Sequence, residues 1–187
     1  MLEVYDDILD TDFILHYEAM HVNPHFGWYL SSNTYGTVDK ELAENIKCPD
    51  TNIKEGPQFV HSFVVDSQDN SDKAMYARDC LDMLCSKIGI TNNPFRIKSN
   101  LCPLINSNNS IDHQVPHVDT IDSHLTGLLY VNEADGPTYF FDNDYKVVKA
   151  ITPKQGRFVL FDGDIFHAGS HPNTSPFRIV TNFNFTM

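Results

Sequence analysis

The densest group of metal-type ligands in this 187-residue chain is Asp112-His113-Gln114-Val115-Pro116-His117-Val118-Asp119. His117 and Asp119 stand two residues apart, so on an extended chain their side chains leave the same face. An imidazole nitrogen beside a carboxylate oxygen suits a borderline divalent metal. Pro116 opposes a helix here, and with it the pairing of His113 and His117 as helical neighbours. An H-x-D tripeptide is common by chance, so the argument needs partners from elsewhere in the chain.

Two are present. The apolar run Phe158-Val159-Leu160-Phe161 enters the turn Asp162-Gly163-Asp164 and then reaches His167. Arg178 follows eleven residues later and opens a terminal β-run. The intervening segment, Ser170 to Pro176, is rich in turn residues, so His167 and Arg178 can lie on neighbouring antiparallel strands that face one interior. Two imidazoles and a carboxylate leave three positions of an octahedral metal open, the facial arrangement of non-haem Fe(II) oxygenases. An inward arginine needs an anion, and its planar fork suits a carboxylate. A dicarboxylate such as 2-oxoglutarate, chelated at one end and held by Arg178 at the other, satisfies both.

The elements that must position these groups can be read from periodicity. Apolar residues at helical spacing predict a helix over Asp12–Val22 capped by Thr11, and a clearer one over Asp72–Ile88, capped by Ser71 or Asp72 and ended by Gly89. A short helix is expected over 38–46 and a polar loop over 106–112. Phe59–Val65 reads as a strand. Phe95–Leu104 alternates, with Arg96, Lys98 and Asn100 opposite Phe95, Ile97 and Leu101. Arg96, Lys98 and Asn100 read as the solvated face of an edge strand, with the mouth of the pocket as the other reading. Further β-runs are Leu125–Asn132, Thr138–Phe141, Tyr145–Ile151, Arg157–Phe161 and Phe177–Phe185, separated by Gly, Pro and Asp turn signals. Helices followed by many short strands imply a mainly β, α+β chain: an antiparallel sandwich or barrel with helices packed on one face.

Composition narrows the partners. Lys plus Arg number 13 against 25 Asp plus Glu, a formal net charge of -12, which argues against broad nucleic-acid binding. No apolar run is long enough to span a bilayer, and the acidic start is unlike a signal peptide, so a cytoplasmic location without membrane contact is expected. Four cysteines without a C-x-x-C pair read as reduced core thiols. His61 reads as a packed core histidine, His113 and His124 as loop residues, and Trp28 and Tyr29 as packing, with a substrate lid as the other reading.

The ordered set His117-Val118-Asp119, His167 and Arg178 resembles the Fe(II)- and 2-oxoglutarate-dependent dioxygenases of the prolyl 4-hydroxylase-like group. Thr126-Gly127-Leu128-Leu129-Tyr130-Val131-Asn132 resembles that group's strand ending Tyr-Leu-Asn. Gly136-Pro137-Thr138-Tyr139-Phe140 is similar to its Gly-Gly-x-Thr-x-Phe turn and strand, and Pro153 to Phe161 resembles the segment that leads to its second histidine. The match spans about Phe95 to Phe185. It departs from the pattern at Pro137, and at Val180, where many members carry Ser or Thr.

The resemblance implies one domain over 1-187, with support over 1-93 and a double-stranded β-helix (jelly-roll, cupin-like) core over about 94-187. It implies Fe(II) held by His117, Asp119 and His167, and 2-oxoglutarate held by the metal, Arg178 and Tyr130, with no further catalytic residue. The implied reaction consumes O2 and 2-oxoglutarate, releases succinate and CO2, and hydroxylates an unactivated C–H bond. A prolyl residue in a protein or peptide is the leading substrate and a free small molecule the next. A metal- and dicarboxylate-binding module without turnover is the reading of a different class.

Overall fold

Alternation along two long strands organises the structure, a computed structural model that describes residues 1–31, 33, 44–49, 53, 56–105 and 113–187. In chain order the elements are β1 (Leu2–Tyr5), α1 (Thr11–His21), β2 (Tyr29–Ser31), β3 (Gln58–Val65), β4 (Gln68–Asp69), α2 (Ala74–Ile88), β5 (Pro94–Pro103) and β6 (His124–Tyr130). They continue with β7 (Thr138–Phe141), β8 (Val147–Ile151), β9 (Phe158–Asp162), β10 (His167–Gly169) and β11 (Phe177–Thr186). The helix expected over 38–46 and the loop over 106–112 lie outside the described residues, except that 44–46 are helical.

One sheet runs β1-β9-β6-β11-β5-β3-β2, with β4 folded back on β3, and a smaller sheet runs β10-β7-β8. Every pairing is antiparallel. This is a double-stranded β-helix with helical support. The segment before Pro94 combines the helices with extended elements, since β1, β2 and β3 extend the large sheet.

The two faces of the large sheet have different tasks. On β11, Ile179, Phe183 and Phe185 join Ile97 of β5, Leu129 of β6 and Phe158 of β9 in a core against Ile14 and Tyr17 of α1 and Ala77, Leu81 and Leu84 of α2. The opposite face carries Leu128, Tyr130, Val159, Phe161 and Val180, which pack with Phe140 and Ile151 of the small sheet. Period-two alternation therefore sends Arg178, Val180, Asn182 and Asn184 toward the space between the sheets. Thr181 points the other way, to Tyr17 and Ser99, as expected from its odd spacing relative to Arg178.

The helices differ from expectation at their starts. Asp10, not Thr11, caps α1, because its carboxylate accepts from the N–H groups of Asp12 and Phe13. α2 begins at Ala74 after Lys73, which makes no side-chain cap, while the Ser71 hydroxyl accepts from the Lys73 N–H. Gly89 closes α2 at φ 77, a left-handed conformation that glycine adopts without Cβ strain. His124 opens β6 and is buried instead of standing in a loop. His61 is packed, bonded to the Gly27 carbonyl and the Ser71 hydroxyl. Trp28 packs against the core, but Tyr29 is 68% exposed. None of the four cysteines forms a disulfide. Among the described residues no helix is long and apolar enough to cross a membrane.

His21 ties α1 to the sheet and carries a pH consequence. It is fully buried, donates from Nδ1 to the Tyr17 carbonyl at 2.7 Å, and accepts at Nε2 from Ser99 Oγ at 2.8 Å. Burial pushes its pKa down from 6.5 to about 4. Between those values the unfolded chain binds a proton that the folded chain refuses, so stability falls as pH drops from 6.5 toward 4. The expected loss from this residue is about 2 kcal/mol by pH 5. Buried His117 and His167, whose pKa values are also lowered, add with the same sign. Urea unfolding at pH 7.5 and pH 5 should show the loss, and His21→Phe should shrink it. A midpoint that does not move between those pH values would contradict the account.

Candidate active site

The H-x-D segment is extended, as Pro116 demands, and is stitched on both sides. His117 and His167 exchange backbone hydrogen bonds, each 3.0 Å, so β10 holds the two histidines in register. On the other side Cys48 N–H donates to the Pro116 carbonyl and Val118 N–H to the Ile46 carbonyl, each at 2.8 Å. His117, Asp119 and His167 converge, with one donor atom from each lying within 4.8 Å of the others.

Both imidazoles are oriented the same way. His117 donates from Nδ1 to the Val115 carbonyl at 2.9 Å, and His167 from Nδ1 to the Ile165 carbonyl at 3.2 Å. A carbonyl can only accept, so Nδ1 carries the proton and Nε2 keeps its lone pair for the site. Burial, helped by the neighbouring imidazole, pushes His117 down to about 3, and burial lowers His167 as well. Both rings are therefore neutral near pH 7, the form that ligates.

The Asp119 side chain is 5% exposed. Burial works to raise its pKa, but Arg96 and the two imidazoles outweigh it and hold the carboxyl well below the usual range. Arg96 Nη2 donates to Oδ1 at 2.5 Å, and Asn184 Nδ2 donates to Oδ2 at 2.8 Å. Arg96 Nε also donates to Asn184 Oδ1 at 2.9 Å, closing a small network around the carboxylate. Asn184 has no assigned role in the sequence, and Arg96 reads there as an edge-strand or pocket-mouth residue. The signal for Asn184 was the alternation on β11 continued three steps past Arg178.

A cavity lined by Asn100, Thr138, Arg178 and Asn182 among others runs from the histidines toward Arg178. Arg178 is 2% exposed, and its Nη2 donates to Thr138 Oγ1 at 2.6 Å. Its Nε is buried without a partner among the described residues. Gly169 makes room for this guanidinium, since a Cβ there would stand 3.1 Å from Nη1. Tyr130 lies behind Thr138 and not in the cavity wall. Its hydroxyl is 2.8 Å from Thr138 Oγ1 and 3.1 Å from the Ile151 carbonyl, and its ring centroid is 5.4 Å from Arg178 Cζ. Thr138 is thus the hydroxyl that faces the cavity beside Arg178.

The edge-strand reading of Arg96, Lys98 and Asn100 is corrected. β5 lies between β11 and β3, inside the large sheet, and these side chains face the site. Asn100 and Lys98 are each 7% exposed. Burial pushes the Lys98 ammonium down to about 8; the Arg96 charge adds to this and the Asp119 charge opposes it. Alternation alone could not separate a face that meets water from one that meets a second sheet.

Residues 105–186 match the family model of the 2OG-Fe(II) oxygenase superfamily. Over that segment, under half of its length, the chain is similar to 2OG-Fe(II) oxygenases. That family consists of enzymes that use Fe(II), 2-oxoglutarate and O2. Among curated proteins no sequence match is found. Solved structures share the oxygenase fold. A Pseudomonas putida prolyl-4-hydroxylase has TM-score 0.59 at 16% identity, covering 100% of this chain and 92% of its own. A Trichoplax adhaerens prolyl hydroxylase, solved with a hypoxia inducible factor oxygen degradation domain peptide fragment, has TM-score 0.60 at 16% identity, covering 98% and 83%. The non-heme alpha ketoglutarate dependent epimerase SnoN from nogalamycin biosynthesis has TM-score 0.60 at 13% identity, covering 99% and 78%.

The residues fit the cofactors of an oxygenase domain. Two neutral imidazoles and one ionised carboxylate suit Fe(II). The orphaned Nε of buried Arg178 calls for an anion at the far end of the cavity.

Proposed function

We propose that this chain is an Fe(II)- and 2-oxoglutarate-dependent hydroxylase in which His117, Asp119 and His167 hold the metal and Arg178 holds the cosubstrate. The observation that carries the reading is the shared cavity, with three converged ligands at one end and a buried, incompletely bonded guanidinium at the other. Bound Fe(II) would supply the open coordination positions at which O2 and 2-oxoglutarate react to give succinate, CO2 and a hydroxylated C–H bond.

The chain's own residues do the rest. The Val115 and Ile165 carbonyls hold the two imidazoles in the ligating tautomer. Arg96 and Asn184 fix the Asp119 carboxylate. Arg178 presents a fork to the distal carboxylate of 2-oxoglutarate, and the Thr138 hydroxyl stands beside it as a second donor. Tyr130 acts through Thr138, as its support. Val180, Leu128 and the small sheet keep this end dry, which strengthens the ion pair.

A prolyl residue in a protein or peptide is the substrate we favour, supported by likeness in fold to two prolyl hydroxylases. The deciding experiment is succinate formation by Fe(II)-loaded protein with and without O2. Oxygen-dependent succinate is expected, and prolyl peptides should raise it. Protein that binds neither Fe(II) nor 2-oxoglutarate would sink the assignment. Binding of both without turnover, whatever the peptide, would leave a dicarboxylate-binding module.

A further inference from the structure

The site holds more positive charge than its cofactors can balance. Along β5 and β11 the residue pairs facing it are Cys102 with Arg178, Asn100 with Val180, Lys98 with Asn182, and Arg96 with Asn184. Arg178 marks the closed end, at 2% exposure, and Arg96 the open end, where its side chain is 22% exposed. Lys98 stands one pair in from that open end. Among the described residues no ion pair includes it. Burial pushes its pKa down to about 8.

The count of charges decides what is missing, and it rests on the reading above. Fe(II) and Arg178 together balance Asp119 and the two carboxylates of 2-oxoglutarate. Arg96 and Lys98 are then left over, in a chain whose net charge is -12. Arg96 keeps contact with the Asp119 carboxylate, whose charge also reaches Lys98, but among the described residues no carboxylate forms an ion pair with Lys98. At 7% exposure Lys98 meets little water, and a cation so poorly hydrated is costly without a counter-ion. The distal carboxylate of the cosubstrate cannot serve both ends, because Lys98 lies four residues along the strand from Cys102, about 13 Å at the strand rise.

We propose that Lys98 is a specificity residue that binds a carboxylate of the oxidised substrate, so that the substrate is acidic close to the carbon that is hydroxylated. Asn182, in register with Lys98 and lining the cavity, stands beside it. A prolyl substrate of this kind carries its own carboxylate or an acidic neighbour at the site.

The test uses full-length protein loaded with Mn(II) in place of Fe(II), and saturated with 2-oxoglutarate so that nothing turns over. Acetate and acetamide are the probes, because they match in shape and differ in charge. Calorimetry should show acetate binding at least about 10-fold more tightly than acetamide, a difference of about 1.4 kcal/mol. Lys98→Met should erase the preference and leave 2-oxoglutarate affinity within about threefold of wild type, as should Lys98→Gln. Three results would overturn the proposal: no acetate preference in wild type, a preference that survives in Lys98→Met, or acetate that competes with 2-oxoglutarate. Failure of wild type to bind 2-oxoglutarate would instead overturn the cosubstrate assignment beneath it.

Discussion

Asp119→Ala is expected to abolish oxygen-dependent succinate formation and to weaken Fe(II) binding by more than about 100-fold. The size follows from comparison with milder changes. Removing groups that only orient a ligand already costs metal sites 10–100-fold, and Asp119 supplies the sole anionic donor of the three converged side chains. Two neutral imidazoles remain in the variant, and they are fixed by backbone carbonyls, so they do not collapse. Arg96 loses its carboxylate partner and leaves a cation facing the metal position, which deepens the loss. Asp119→Asn separates charge from shape. It keeps an oxygen at the same place and the bond from Asn184, and it should bind Fe(II) more tightly than Asp119→Ala but well below wild type. Metal affinity measured with Mn(II) or Fe(II) under nitrogen reads the effect independently of turnover. Wild-type affinity in Asp119→Ala would remove the residue from the metal site.

Arg178→Met should separate the two ends of the cavity. Metal binding is expected to stay within a few-fold of wild type, while 2-oxoglutarate affinity falls about 100- to 1000-fold. Truncating one partner of a buried charge pair costs about 2–5 kcal/mol, largely because the remaining carboxylate is then desolvated without compensation. Arg178 is 2% exposed and its Nε has no partner among the described residues, so part of its bonding capacity is unspent without ligand. Methionine fills similar volume without a charge, so the folded protein should be no less stable than wild type in the absence of ligand. That stability readout guards against mistaking unfolding for lost affinity. Arg178→Lys keeps the charge but not the fork, and should recover only part of the affinity. A variant that binds 2-oxoglutarate normally would move the cosubstrate to another part of the cavity.

Most strands were legible because alternation is a local property. Thr138–Phe141 has the expected bounds, and the strand ending the chain runs one residue beyond expectation. β1, β2 and β4 were not anticipated, since two to four residues carry too little periodicity to stand out, and the strand of His167, expected beside that of Arg178, pairs with β7 in the small sheet instead. The cap of α1 was misplaced by one residue because Asp10 and Thr11 are both good capping types, and only backbone geometry chooses between them.

The same limit applies within the site. His117, Asp119, His167 and Arg178 stood out by type and spacing, and the structure brings the first three within bonding range of one ion and places the fourth at the far end of one cavity. The tautomers of the histidines, the bond from Arg96 to Asp119 and the place of Thr138 in front of Tyr130 could not be read this way. Each depends on residues that meet only across strands, such as Arg96 and Asn184 in register between β5 and β11.

What the sequence by itself determined was the alternating pattern and the identity of the chemical groups, because side-chain type and period-two spacing are properties of the chain alone. Tertiary structure decided which face of each strand meets water and which meets a second sheet. Lys98 and Asn100 show the difference. Their spacing is equally suited to an exposed edge, and only the packing of the small sheet over the face that β5 shares with β11 turns those polar groups inward, where an ammonium without an ion pair among the described residues becomes a demand for a ligand.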